Sequence, residues 1–239
     1  MAGEHLETQD GVTRGFVSFG SNGGTVDGYL VKPEDGQAHP GVVMIQEWWG
    51  VEDHIKELAE RLARQGYTVL APDLYHGKVV DEPDEAGKAM MALNKGAAVQ
   101  EIGKAVAYLK TRGDARADKI GVVGFCMGGM LAWKAAETQG GAIAAVAAFY
   151  GAGYHPGAEE MAKVTAPALV VWGGQDGSIP PADREHIASL LQQQGKTHKT
   201  LLYPNAGHAF MNDKHGDLEP ESAQQAWGEL VAWFKQYLG

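Results

Sequence analysis

Ile120-Gly121-Val122-Val123-Gly124-Phe125-Cys126-Met127-Gly128-Gly129 is the stretch on which the reading of this chain turns. Its first half is an apolar, β-branched run of the kind that fills a buried strand, and a helical pattern predicted over residues 126–138 follows without a break. Between them lies Gly-x-Cys-x-Gly, the strand–turn–helix that lifts a nucleophile onto a strained turn, with Cys where Ser is more usual. The glycines have a physical reason, because a side chain at 124 or 128 would collide with the neighbouring strand or helix. Gly121 and Gly124 are both assigned to this turn. Cys126 would project over the sheet edge at a helix N-terminus, where the dipole favours a developing thiolate. Alone, the same residues also describe an inert thiol in a Gly-rich turn, which is how most free cysteines live.

Working outward, short β-like runs alternate with helical patterns. Two hairpin-like strands are predicted at 15–19 and 25–31, separated by the turn-rich residues 20–24. Strands follow at 41–46, 67–71, 119–124, 142–150, 168–172 and 197–203. Helices are predicted at 52–65, 84–93, 97–110, 126–138, 182–194 and 221–238. The first carries Ile55, Leu58, Ala59 and Leu62 at helical spacing, and the last turns Ala226, Leu230 and Phe234 inward. This alternation specifies an α/β fold: a mostly parallel central sheet with helices on both faces, over residues 1–239 as a single domain. Residues 75–95 fit least well. They read as a surface loop with two core methionines, Met90 and Met91, or as a substrate cap at the carboxyl edge of the sheet.

Composition narrows the function classes. The chain has 239 residues, 44% hydrophobic and 21% charged, which is the balance of a folded globular protein rather than a disordered one. Its 33 glycines follow no triplet period, which excludes collagen. A net charge of −10 with no Lys/Arg run argues against nucleic-acid binding. The single cysteine excludes an intramolecular disulfide. The start, Met1-Ala2-Gly3-Glu4-His5, carries acid where a secretory signal carries base, and the weakly polar run 140–153 is too short for a bilayer. A cytoplasmic protein with no membrane partner, monomeric or a small homo-oligomer, is expected. No Gly-x-Gly-x-x-Gly opens a helix after a first strand, so a dinucleotide site has no support. His208 and His215 stand seven apart with Asp213 and Asp217 between, but without a His-x-x-x-His helix or a Cys pair, so neither metal nor other cofactor is expected.

Cys126 gains meaning from residues further along the chain. Hydrolases with this turn place their catalytic groups in the order nucleophile, acid, base. Asp176 lies just past the strand 168–172 in Gly173-Gly174-Gln175-Asp176, and His208 comes after the last strand in Asn205-Ala206-Gly207-His208. An Asx-turn or helix cap would explain Asp176 alone. The other histidines lack such a position, and His39, His76, His155, His186 and His198 read as solvated loop or helix residues. The three types in the required order, each at the carboxyl end of a β run, point to acyl transfer.

Gln46-Glu47-Trp48-Trp49-Gly50-Val51, Ala71-Pro72-Asp73-Leu74-Tyr75, Gly124-Phe125-Cys126-Met127-Gly128-Gly129, Phe149-Tyr150-Gly151, Gly174-Gln175-Asp176 and Gly207-His208-Ala209-Phe210 together resemble the dienelactone hydrolase family, over nearly the whole chain from about residue 15. The resemblance implies an α/β-hydrolase fold without a separate cap domain, and a Cys126–His208–Asp176 triad. The implied activity is carboxymethylenebutenolidase-type hydrolysis of a small-molecule lactone or ester. It implies that Glu47 approaches the nucleophile, disfavouring thiolate until substrate turns the acid away and hands the thiol to His208, a switch that would protect Cys126 from oxidation. The oxyanion hole would be the backbone N–H groups of Met127 and Trp48. Trp48, Trp49, Tyr150, Phe210 and Asn212 are assigned to the substrate pocket.

The chain departs from the family at the arginines that bind a substrate carboxylate. Asn212 stands four residues after His208 where one is found, and residues 73–101 offer only Lys78, Lys88 and Lys95, which lack the bidentate fork. Arg14, Arg61, Arg64, Arg112, Arg116 and Arg184 read as surface salt-bridge partners. A general carboxylesterase or thioesterase is therefore the alternative enzyme, separable with a panel of nitrophenyl esters. A redox-reactive thiol on a hydrolase scaffold is the alternative from another class, separable by thioester trapping.

Overall fold

The computed structural model of the chain describes residues 4–21 and 24–239. Its strands are β1 (His5–Gln9), β2 (Val12–Ser21), β3 (Gly24–Pro33), β4 (His39–Ile45), β5 (Thr68–Pro72), β6 (Ala115–Phe125), β7 (Ala145–Phe149), β8 (Ala168–Gly173) and β9 (His198–Tyr203). They form a nine-stranded sheet in the order β1-β2-β3-β5-β4-β6-β7-β8-β9. The first three join antiparallel, and β5 through β9 run parallel to one another. The sheet is the mostly parallel arrangement expected from the alternation, and its α/β-hydrolase order is the one that the resemblance implies.

Helices α1 (Asp53–Ala63), α2 (Pro83–Ala92), α3 (Lys95–Thr111), α4 (Met127–Gln139), α5 (Ala158–Lys163), α6 (Pro181–Gln193) and α7 (Pro220–Leu238) connect the strands. β6 is covered by α3 and α4 on one face and by α7 on the other. Double cover explains why β4 and β7 read as continuous apolar runs: Val42, Val43, Met44 and Ile45, and Ala145 to Phe149, have almost no contact with water. The inward residues of α1 and α7 named from spacing are likewise buried. Among the described residues, no helix is long and apolar enough to cross a membrane.

Several expectations are corrected. Strand β1 and helix α5 have no counterpart among the predicted elements. β6 starts at Ala115 and takes a register shift against β4 at Pro40/Gly41. The predicted strand 142–150 shortens to β7, behind a 3-10 turn at Gly140–Ala142. Gly121 belongs to helix packing rather than to the Cys126 turn, since a Cβ there would meet Leu238 and Phe234 of α7. The turn predicted at 20–24 falls partly on Asn22 and Gly23, and the N-terminal reading on Met1 to Gly3, which lie outside the described residues.

The sheet order reverses around β4, whose neighbours are β5 on one side and β6 on the other. Loops leaving β4 and β6 therefore diverge and open a crevice at the carboxyl edge, where ligands bind in open α/β sheets. Glu47 comes just after β4, and Cys126 just after β6.

Candidate active site

Cys126 holds φ 53° and ψ −119°, a conformation that residues with a Cβ rarely adopt. The surrounding backbone imposes it. The Cys126 N–H donates to Phe149 O at 3.0 Å, tying the turn to β7. A Cβ on Gly124 would overlap the Gly128 carbonyl group, and one on Gly128 would lie 2.5 Å from the carbonyl oxygens of Ile45 and Gln46. Sheet and helix thus approach as closely as bare backbone allows, and Cys126 is lifted into a half-buried position above the edge.

His208 Nε2 lies 3.1 Å from Cys126 Sγ, and Nδ1 lies 2.8 Å from Asp176 Oδ2. Ser178, absent from the sequence reading, completes the contact: its hydroxyl donates to Asp176 Oδ1 at 2.5 Å and sits 2.9 Å from His208 Nδ1. Its N–H also donates to Asp176 Oδ1 at 2.8 Å. Asp176 therefore makes an Asx-turn with one oxygen and meets the imidazole with the other. Burial acts against the His208 cation, but the hydrogen bonds of Asp176 and Cys126 outweigh it and push the imidazole up to about 10. Burial likewise acts against the Asp176 carboxylate, and its bonds from His208 and Ser178 hold it below the usual range.

Glu47 is fully buried, and burial pushes its carboxyl up to about 7 despite a hydrogen bond from Asn212. Asn212 Nδ2 donates to Glu47 Oε2 at 2.5 Å and reaches Glu52 Oε1, a second buried carboxylate, at 3.4 Å. Among the described residues no hydrogen bond joins Glu47 to Cys126. The acid is held by Asn212, and His208 already faces the thiol. Burial and the charge of Glu47 together hold the Tyr150 phenol well above its usual range.

The cavity above Cys126 has a volume of about 390 Å³. Trp48, Trp49, Met90, Ala152 and Ala209 give it an apolar wall; Glu47, Ser178, His208, His215 and Asp217 supply its polar groups. Trp48 and Trp49 stand where the pocket reading put them. Tyr150, Phe210 and Asn212 do not line the cavity: all three are fully buried behind it. The Tyr150 ring packs edge-on against His208 and Phe210, and Asn212 serves Glu47. The amide N–H groups of Trp48 and of Met127, the first residue of α4, meet no acceptor among the described residues.

Residues 75–95 do fold over this edge. Val80 and Ala86 pack on Trp49, and the Val80 N–H donates to Trp49 O at 3.0 Å. Met90 reaches the cavity, whereas Met91 is 77% exposed and is not a core residue. Lys78 and Lys88 line a separate groove between Tyr75 and Glu101. Of the arginines, Arg14, Arg64 and Arg112 make ion pairs as expected. Arg61 instead lies over Trp227, while Arg116 and Arg184 donate to the carbonyls of Leu238 and Gly173. Among the described residues no arginine or lysine lines the cavity. His215, weighed in the sequence only as a metal ligand, instead lines the cavity and stacks on Trp49.

Comparison with known proteins gives a consistent answer. The family described as the dienelactone hydrolase family matches residues 26–238. The chain is 37% identical over 235 residues to protein usf of Aquifex pyrophilus, covering 93% of this chain and 98% of that one. It is 32% identical over 241 residues to a Methylorubrum extorquens protein provisionally named carboxymethylenebutenolidase, covering 95% and 82%. A crystal structure provisionally assigned as a dienelactone hydrolase, from Klebsiella pneumoniae, superposes with a TM-score of 0.86 at 28% identity, over 95% of this chain and 99% of that one.

Proposed function

The chain belongs to the dienelactone hydrolase family, and from that premise we propose that it hydrolyses a lactone or small carboxylic ester through Cys126, His208 and Asp176. The observation that carries this reading is the chain of contacts from sulfur to imidazole to carboxylate, at 3.1 and 2.8 Å. Sγ bonds to the acyl carbon while its proton rests on His208, whose cation Asp176 favours. The charge that develops on the carbonyl oxygen falls to the N–H groups of Met127 and Trp48, an arrangement in which one donor contributes ~3–4 kcal/mol in well-studied cases. The tetrahedral adduct collapses, the C–O bond breaks, and His208 returns its proton to the departing alcohol or enol. A thioester on Cys126 remains. His208 then deprotonates water, which adds to the thioester carbon, and the thiol leaves as it is reprotonated. Asp176 orients the imidazole and offsets its charge throughout, with Ser178 fixing the carboxylate.

Glu47 acts in this scheme as the nucleophile's electrostatic partner. Turned toward Asn212, it faces His208 with a charge that favours the imidazolium; turned toward the sulfur, it would disfavour thiolate.

The test is a panel of nitrophenyl esters and lactones, dienelactone among them, with intact-mass detection of the acyl-enzyme. Turnover is expected with wild type and an adduct on residue 126. Cys126→Ala should lose at least ~10³-fold in kcat/KM and form no adduct. Equal turnover by wild type and Cys126→Ala would end the proposal. An adduct that forms but never hydrolyses would favour the reactive-thiol alternative.

A further inference from the structure

The cavity contains a second imidazole placed against a second carboxylate. His215 Nε2 faces Glu52 Oε2 at 3.3 Å, and the Glu52 side chain is only 1% exposed. The His215 ring stacks on Trp49 with centroids 4.1 Å apart and planes inclined by 22°. Trp48 packs edge-on against Trp49, which closes the back of the stack. The His215 N–H donates to Asn212 Oδ1 at 2.8 Å, so the same amide that holds Glu47 also fixes the loop carrying His215. Lys214 Nζ, 3.3 Å from Glu52 Oε2, supplies the counter-charge to that buried acid from outside the cavity. The ring is thus held by the stack and by the backbone bond, with its Nε2 beside the Glu52 carboxylate but not hydrogen-bonded to it. Trp49 covers one face of it, and the stacked pair together lines the cavity.

Charge is distributed with equal consequence. Glu47 and Asp217 bring carboxylates to the cavity, and among the described residues no arginine or lysine lines it. A substrate carboxylate placed beside Asp217 would meet like charge with no fork to receive it, and the His208 cation is already paired with Asp176.

We propose that the Trp49–His215 stack, its loop fixed by Asn212, is the specificity-determining wall of the cavity, and that it selects flat, uncharged acyl esters or lactones over those bearing a carboxylate. The inference rests on the hydrolytic reading above and names the substrate class of that same site. A planar π-system can lie against the stack, whereas a puckered saturated ring of equal size cannot make the same contact.

Three probes with one leaving group separate these effects: the 4-nitrophenyl esters of benzoic acid, of cyclohexanecarboxylic acid, and of terephthalic acid, which is the benzoate with a para carboxylate. Wild type should prefer the benzoate to the terephthalate monoester by about tenfold or more in kcat/KM. It should prefer the benzoate to the cyclohexane ester by about three- to tenfold. His215→Ala should abolish the flat-over-saturated preference, chiefly through KM, and His215→Phe, which keeps a ring on Trp49, should restore it. Asp217→Asn should narrow the gap between benzoate and terephthalate. A benzoate-to-cyclohexane ratio unchanged in His215→Ala, or a terephthalate monoester hydrolysed as well as the benzoate by wild type, would overturn the wall while leaving the acyl-enzyme chemistry intact. Failure of all three esters to acylate Cys126 would instead strike at the hydrolytic reading.

Discussion

Two carboxylates, Glu47 and Glu52, are buried within reach of one amide, that of Asn212. Removing a carboxylate from water disfavours its charged form, and Glu47 is consequently raised to about 7 from an ordinary value of 4.5. This fixes the sign of the stability effect. The folded chain retains a proton that the unfolded chain releases, so stability from this group is complete below about pH 4.5 and is lost as pH rises through about 7. Glutamine has no proton to lose and can accept the same bond from Asn212. Glu47→Gln should therefore stabilise the protein by roughly 1–3 kcal/mol at pH 8 and by almost nothing at pH 4.5, measured by urea unfolding at both pH values. A variant no more stable than wild type at pH 8 would show that the folded protein bears this charge without strain. Turnover should fall in the same variant, as expected of a charge kept for function against stability. Cys126, Asp176 and His208 are legible in the sequence because each comes shortly after a β run, and Glu47 is legible only through the family resemblance. Ser178, Asn212 and His215 are not legible in these parts, because their work is done through contacts across the fold: Asn212 bridges 165 residues to Glu47. Only Ser178 leaves a local trace, the Asx-turn that Asp176 would make on its own.

At the scale of elements, the strand–turn–helix around Cys126 depends on backbone passing backbone. Gly124 and Gly121 lie three residues apart on β6 and answer to different neighbours. A Cβ at 124 would overlap the Gly128 carbonyl group, which cannot retreat without moving the start of α4 and with it Cys126 and the Met127 N–H. At 121 the Cβ would meet Leu238 Cδ1 at 2.8 Å and Phe234 Cε1 at 3.1 Å, side-chain atoms of α7 that can rotate aside. Gly121→Ala should accordingly destabilise by ~1–3 kcal/mol while kcat/KM stays within about threefold. Gly124→Ala should exceed ~3 kcal/mol and lower kcat/KM by at least ~10²-fold in the fraction that remains folded. Equal activity losses in the two variants, measured by denaturant titration and active-thiol counting, would mean that the turn is not the element that positions the nucleophile. The turn is legible because its glycines sit between a strand pattern and a helix pattern. β1 is hidden for the opposite reason, since Leu6 is its one apolar residue and no alternation marks it. A signal is nevertheless there: Asp10-Gly11, with φ 51° and 78°, is the dipeptide that favours a tight hairpin.

Across the whole molecule, the loops of the site hang from the best-buried part of the sheet, and its weakest strand lies at the far edge. The loops that carry Glu47, Cys126, Asp176 and His208 leave parallel strands β4, β6, β8 and β9 at their carboxyl ends, whereas β1 extends the opposite, antiparallel edge. β4, β6 and β7 are enclosed on both faces, and their apolar residues are almost wholly removed from water. β1 is bonded to a single neighbour, β2, and most of its side chains face solvent. Such an arrangement predicts a gradient of opening free energies along the sheet. In native-state hydrogen exchange, the amides of Val43, Met44, Val122 and Val146 should exchange only through global unfolding. Those of β1 should exchange through an opening at least ~2 kcal/mol easier, with turnover unaffected by conditions that open β1 alone. This separation explains why fold class is readable from a simple alternation of patterns, while the antiparallel edge and the cavity wall are not. Doubly covered strands advertise themselves as unbroken apolar runs, but an edge strand and a stacked Trp–His pair are defined by neighbours distant in the chain. Uniform exchange across β1, β4 and β6 would mean that the edge and the catalytic strands unfold as one unit. Loops and sheet would then share a single stability, and the catalytic edge could not loosen without the core.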